Sequence, residues 1–179
     1  MITVIGGGPA GRLAALRLAG FGREVRLIDG RPEGLGGQCL HDGCMVINAH
    51  NDAAKTVESA RGLAALGILG HTPLLSYDAL KAEMAGIQET IAAIIRKETI
   101  EAGVEVIRAH ATVEGNEVFL DGERETASEA LLIATGSHPF IPDIPGAGLA
   151  GVHTAHTLHR LRHLPARMVI IGGGVVACE

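Results

Sequence analysis

The sequence predicts an α/β fold: a Rossmann-like domain with a parallel sheet and a small antiparallel excursion, then the truncated start of a second unit of the same kind. Three observations carry this. A short apolar run, Ile2 to Ile5, enters the glycine turn Gly6-Gly7-Gly8-Pro9-Ala10-Gly11. A second apolar run, Met168 to Ile171, enters another, Gly172-Gly173-Gly174. Between them, strand-length apolar runs are separated by segments whose apolar residues recur at steps of three and four.

Taken in order, Ile2 to Ile5 is the first strand. A helix follows from about Gly11 to Gly20, with Leu13, Leu16 and Ala19 or Gly20 on one side. Glu24 to Asp29 is the next strand, which closes a βαβ unit with parallel strands. A loop from Gly30 to Gly37 leads to Cys39 and Cys44, and a helix begins near Cys44 and runs toward Leu66. The spacing predicts a second long helix over Tyr77–Ala102, with Leu80, Met84, Ile87, Ile91, Ile94 and Ile95 on its apolar face. Gly103 ends it, and Val104 to Arg108 is a strand. Ala111 to Ser128 alternates weakly around the turn signals Glu114-Gly115-Asn116 and Asp121-Gly122, which predicts the antiparallel excursion. Ala130 to Ala134 is a buried strand ended by Thr135-Gly136-Ser137. Pro139, Pro142, Pro145 and Gly146 mark an extended linker. Met168 to Ile171 is the strand before the second turn, whose helix is just starting at Glu179. The domains are therefore expected at 1–146 and 147–179.

Composition removes several functions. A net charge of −5 gives no reason to expect nucleic acid, and 2% aromatics without Trp leave no base-stacking platform. The opening Met1-Ile2-Thr3-Val4-Ile5 has no basic region and is not a signal peptide. No apolar run approaches the ~20 residues that span a bilayer. A cytoplasmic chain is expected, and in that compartment three cysteines are not a structural disulfide framework.

The first glycine turn suits a dinucleotide. Glycines let the backbone approach a pyrophosphate, and the following helix points its free N–H groups at the charge. Asp29 lies 18 residues beyond Gly11, near the distance at which a carboxylate meets ribose hydroxyls. A tight turn without a ligand is the alternative.

Four residues separate Cys39 from Cys44. At a helix start this spacing can bring both sulfurs within disulfide reach, and a helix start favours a thiolate. Such a pair beside a flavin can relay two electrons to an external disulfide. Two inert cysteines are one alternative. A metal site from Cys39, His41, Cys44 and His50 is another, but it lacks the distant second pair that metal sites usually have. His153, His156, His159 and His163 also invite a metal reading, which a solvated helix face competes with. No metal is expected, and Cys178 is read as core packing.

These segments together resemble the class I pyridine nucleotide-disulfide oxidoreductases, the flavoprotein disulfide reductases, and within them the dihydrolipoamide dehydrogenase branch. The cysteine segment of that family runs Gly-Gly-Thr-Cys-Leu-Asn-x-Gly-Cys-Ile-Pro-Ser-Lys. It stands here as Gly36-Gly37-Gln38-Cys39-Leu40-His41-Asp42-Gly43-Cys44-Met45-Val46-Ile47-Asn48. Ala134-Thr135-Gly136-Ser137, the Pro-rich Ile141 to Gly146 and Gly151-Val152-His153-Thr154-Ala155-His156-Thr157-Leu158 match further family segments in the right order.

The resemblance implies an FAD-dependent enzyme passing electrons between NAD(P)H, FAD and a Cys39–Cys44 disulfide. Cys39 would attack the substrate disulfide and Cys44 would contact the flavin. Gly6, Gly8, Pro9, Ala10 and Gly11 would hold the FAD pyrophosphate, and Asp29, Gly30 and Arg31 the adenosine side. Gly37 and Gln38 would approach the phosphates or ribityl chain, His110 and Ala111 the adenine, and Ala134, Thr135 and Gly136 would line the cofactor. Gly172 and Gly174 would open the NAD(P) site, with Ala177 at the third position of that turn. Glu179 would lie near the flavin. The lysine that usually partners this glutamate is replaced by Asn48.

The resemblance further implies a dithiol or disulfide substrate, small or protein-bound, and a homodimer formed through a C-terminal domain beyond this chain. The fragment alone is expected to be inactive. A stand-alone flavin-binding module, or a mercuric or coenzyme A disulfide reductase, are the alternatives.

Overall fold

A computed structural model describes residues 1–115, 117–124 and 128–178. Its elements in chain order are β1 (Ile2–Ile5), α1 (Pro9–Gly20), β2 (Val25–Ile28), α2 (Gly37–His41), α3 (Cys44–Ala65), α4 (Tyr77–Glu101), β3 (Val104–Ile107), β4 (Ala111–Glu114), β5 (Glu117–Leu120), β6 (Glu123–Arg124), β7 (Ala130–Ile133) and α5 (Val175–Cys178). The chain divides into two compact units. One holds residues 1–41 and 88–138, the other 42–87 and 139–179.

The first unit is built on a parallel sheet of order β3-β2-β1-β7. Val4 pairs with Leu27 and Leu132, and Ile5 with Ile28 and Ile133. Successive side chains of a strand point to opposite faces, so these two rows open onto different layers. On one face Val4, Val25, Leu27 and Val104 pack with Ala15, Leu18 and Ala19 of α1 and Ile95 of α4. On the other, Ile5 and Ile28 pack with Val118 and Leu120 of the antiparallel sheet β4-β5-β6. Strands covered on both faces read as apolar runs, which is why the sequence reveals β1 and β2. β7, expected as a buried strand, is covered only in part: as the outer strand of the sheet it leaves Ala130 exposed and Ile133 63% exposed. The predicted antiparallel excursion is present. Its second turn has Asp121 at φ +51° and Gly122 at φ +90°, the conformation an Asp-Gly hairpin favours. Asn116, in the first predicted turn, lies outside the described residues.

Helix α1 begins at Pro9, a residue pre-set for the first helical position. Its inward side differs from the expected one. Gly11 and Ala15 are buried, while Leu13 is 57% exposed. A side chain on Gly11 would strike the carbonyl oxygen of Gly6. The helix therefore lies on β1 through its smallest residues, and the leucine turns outward. On α4, Met84 is buried, but Ile87 and Ile94 are about half exposed, so the apolar stripe is covered only in part.

In the second unit α3 presents Val46 inward. Lys81 donates to the carbonyl oxygens of Leu161 (3.4 Å) and Arg162 (3.1 Å) just past a 3-10 turn at Leu158–Arg160. The expected strand over Met168–Ile171 is not formed, and Val169 there is 88% exposed. A strand needs a neighbour for its ladder, and no described strand lies in this unit. Cys178 is exposed at the end of α5, not in a core as its helical position suggested.

Candidate functional site

The first glycine turn sits where β1 hands the chain to α1. Gly6 has φ +106°, in the region that favours glycine, and donates to the Ile28 carbonyl at 2.8 Å. Gly8 is the N-cap of α1 and supplies no side-chain cap, and no acidic residue occupies the first turn. The first N–H groups of a helix have no partner within it. Pro9 has no N–H, and those of Ala10 and Gly11 can face an anion, whose charge the helix dipole would favour.

A second backbone segment closes on this one. Gly36 donates to the Gly7 carbonyl at 2.9 Å, and a Cβ on Gly37 would come within 2.7 Å of the Gly8 Cα. Gly37 has φ +57°. The cradle is therefore made of backbone approaching backbone, with side chains removed at the contact. Its donors and its lack of side-chain bulk fit a pyrophosphate.

Asp29, just past β2, is the carboxylate expected to meet a ribose. Its Oδ2 accepts the Gly7 N–H at 2.6 Å and its Oδ1 the Arg31 N–H at 2.8 Å. It ties the turn to the loop after β2, and each oxygen keeps acceptor capacity for a hydroxyl. Gly30 fits closely, since a Cβ there would lie 3.1 Å from the Ala109 carbonyl oxygen. His110 donates its backbone N–H to Asp121 Oδ1 at 3.0 Å, and its carbonyl accepts the Asp121 N–H at 3.0 Å. Ala111, the first residue of β4, pairs with Leu120. Ala134 donates to Ile5 at 2.8 Å, which carries β7 into Thr135 and Gly136, the latter at φ +79°.

Cys39 is half-buried in the five-residue helix α2, which the sequence did not signal. Three contacts hold this turn. Gln38 donates Nε2 to the Ser137 carbonyl, His41 Nε2 lies 3.2 Å from the Leu35 carbonyl oxygen, and Gln88 Nε2 donates to Leu40 and His41. Cys44 is the exposed first residue of α3. Among the described residues no group of three or more His, Cys, Asp and Glu is gathered as a metal site needs. His159 instead faces Asp42 at 3.8 Å. No described helix is long and apolar enough to cross a membrane.

At the second glycine turn Gly172 has φ +136°, and Gly174 accepts from the N–H groups of Ala177 (3.0 Å) and Cys178 (3.1 Å). Helix α5 thus starts at Val175, four residues earlier than expected. Glu179, expected near the flavin, lies outside the described residues.

A family model for pyridine nucleotide-disulphide oxidoreductases matches residues 1–179. The chain belongs to this family. Members of this oxidoreductase family use FAD and NAD(P). The chain is 29% identical over 188 residues to the dihydrolipoyl dehydrogenase of Acholeplasma laidlawii, with 99% of this chain and 54% of that protein covered. Among solved structures it is similar to the HOCl-induced flavoprotein disulfide reductase RclA of Escherichia coli. The TM-score is 0.79 at 23% identity, over 99% of this chain and 38% of that one. LpdA of Mycobacterium tuberculosis gives a TM-score of 0.75 at 26% identity, over 92% and 38% of the two chains. This member of the family thus spans about half or less of the relatives it matches.

Within the family frame, the residue that sequence reasoning missed is Gln88. A glutamine on an amphipathic helix carries no local signal for a carbonyl 47 or 48 residues away. Asn48, at the position of the family lysine, is exposed on α3.

Proposed function

We propose that this chain is the flavin-binding portion of an FAD-dependent disulfide oxidoreductase resembling dihydrolipoamide dehydrogenase, with Cys39 and Cys44 as its redox couple. The observation that carries the reading is the side-chain-free cradle of Gly8 and Gly37 at the uncapped start of α1, two residues before Cys39.

Bound FAD would supply two-electron transfer from NAD(P)H. Gly6, Gly8, Pro9, Ala10 and Gly11 hold the pyrophosphate in this proposal, and Gly37 and Gln38 border it. Asp29 takes the ribose, with Gly30 and Arg31 beside it. His110 and Ala111 flank the adenine, while Ala134, Thr135 and Gly136 line the other side. Gly172 and Gly174 would begin the pyridine-nucleotide site.

The cysteine chemistry balances as follows. Two electrons and two protons convert a Cys39–Cys44 disulfide into two thiols. The Cys39 thiolate attacks one sulfur of an external disulfide, breaking its S–S bond, and the departing thiolate takes a proton. The Cys44 thiolate then attacks the Cys39 sulfur, and the second substrate thiolate leaves and is protonated. The net change is one external disulfide reduced to two thiols. The reverse direction oxidises a dithiol such as dihydrolipoamide. The remaining acid-base chemistry, a homodimer and a cytoplasmic location belong to the same proposal for the whole protein.

The test is the visible spectrum of the chain loaded with FAD, during dithionite titration. A flavin band that gains a long-wavelength shoulder at two electrons per flavin is the expected result. A tightly bound flavin that reduces without the shoulder, with both thiols reacting as independent groups throughout, would overturn the redox assignment.

A further inference from the structure

The helical turn that carries Cys39 is closed from outside by one side chain. Gln88 of α4 sends Nε2 to the carbonyl oxygens of both Leu40, at 2.7 Å, and His41, at 3.0 Å. These carbonyls end α2, a helix of five residues whose last oxygens have no acceptor role within it. Leu40 is 5% exposed, so water is largely kept from it. Two further ties of the segment, from Gln38 and His41, reach Ser137 and Leu35 and not these carbonyls.

The electrostatic consequence falls on Cys39. Carbonyl groups at a helix C-terminus present partial negative charge, which opposes a thiolate nearby. Leu40 and His41 directly follow Cys39 in the chain. An amide donating to both oxygens draws off that charge and also keeps the turn wound. The other titratable groups along this stretch are His41, whose ring meets the Leu35 carbonyl, Asp42, which faces His159 at 3.8 Å, and Cys44, exposed at the first position of α3. On α4 the neighbouring Glu89 is exposed.

We propose that Gln88 is a positioning residue that makes the Cys39 thiolate easier to form, so that this thiol can begin the exchange. The chemical meaning of the assignment rests on the dithiol reading above.

The test is the pH dependence of Cys39 alkylation by iodoacetamide in the reduced 179-residue chain, read by peptide mass spectrometry. Cys178 in the same digest serves as the reference. Loosening of the turn would hydrate the half-buried sulfur and lower its midpoint, so a rise reports charge and not loosening. Gln88→Leu is expected to raise the Cys39 midpoint by about half a pH unit, leaving about threefold less thiolate at a fixed lower pH. Gln88→Glu is expected to raise it further, because it exchanges the donor for a negative charge. Gln88→Lys, which keeps donors and adds positive charge, is expected to restore or lower it. Cys178 should not move. Equal shifts in all three variants would mean that Gln88 only holds the fold, and unchanged midpoints in the Leu and Glu variants would mean that it does neither. Both results overturn the proposal. Failure of the parent chain to form a Cys39–Cys44 disulfide with oxidised glutathione would instead strike the dithiol reading, since the alkylation midpoint needs no disulfide.

Discussion

The carboxylate of Asp29 holds the backbone N–H of Gly7 at 2.6 Å and so ties the glycine turn to the end of β2. Its other oxygen holds the Arg31 N–H at 2.8 Å. One side chain therefore sets the spacing between the glycine turn, proposed to cradle the pyrophosphate, and the loop proposed to carry the ribose. Asp29→Asn keeps the shape but offers one acceptor oxygen, so one of the two N–H groups faces an amide donor. The variant is expected to lose about 1–3 kcal/mol in urea unfolding, the usual cost of leaving a buried donor unsatisfied. Its FAD affinity should fall about tenfold, which corresponds to 1.4 kcal/mol. A titration of flavin fluorescence checks the second value, and unchanged affinity would detach Asp29 from the cofactor.

Gly37 supports a sharper comparison. A Cβ there would lie 2.7 Å from the Gly8 Cα, and the residue has φ +57°. Gly22 shares the left-handed backbone, at φ +75°, but has nothing within 4 Å of an added Cβ. Gly22→Ala therefore costs only the backbone term, about 1 kcal/mol. Gly37→Ala pays that and must also push α2 away from α1. It is expected to melt lower than Gly22→Ala and to lose FAD binding by at least about tenfold. Equal flavin affinity in the two variants would show that the cradle tolerates widening.

The parts of this architecture that the sequence displays are those with local patterns. Ile2–Ile5 and Val25–Ile28 are apolar but for Thr3 and Arg26 because a parallel strand is covered on both faces, while Ala130–Ile133 has the same apolar composition although Ile133 is 63% exposed. The glycine turn is legible for the same local reason. Helix α2 is not, because five residues hold too little of a 3.6-residue period. The inward face of α1 misleads because close approach selects Gly11 and Ala15, while Leu13 is turned out. Met168–Ile171 has the composition of a buried strand, but a strand also needs a partner that its own residues do not encode. Gln88 escapes for a related reason, since its partners are set by tertiary folding alone.

The two cysteines have different proposed roles, and serine substitutions separate them. In Cys39→Ser, Cys44 remains to meet the flavin, so the long-wavelength absorption of the reduced pair should persist while exchange with an external disulfide stops. In Cys44→Ser the absorption should disappear, and a mixed disulfide on Cys39 should accumulate, because no second thiol resolves it. Cys178→Ser, in an exposed position on α5, should match the parent chain in both assays. Persistence of the band in Cys44→Ser and its loss in Cys39→Ser would exchange the two roles.

At the opposite end of the sheet, Arg23 reaches Glu129 at 2.5 Å, and the Met1 amino group lies 3.9 Å from the same carboxylate. Glu129 also donates its N–H to the Met1 carbonyl at 3.0 Å, directly before β7 begins. The hydrogen bond and charge of Arg23 lower the carboxyl pKa of Glu129 below its ordinary value. A carboxyl depressed in the folded state favours folding above its unfolded pKa, about 4.3 for glutamate. That contribution fades as the pH falls through the folded value. The parent chain should therefore exceed Glu129→Gln in urea midpoint at neutral pH, and the two should converge as the medium is acidified below that range. Both side chains are exposed, so the gap is small and should shrink further in 0.5 M salt, a level of about 4–5 Å screening length. A gap that is constant from neutral to acidic pH would mean that Glu129 acts through its backbone contact with Met1 and not through its charge.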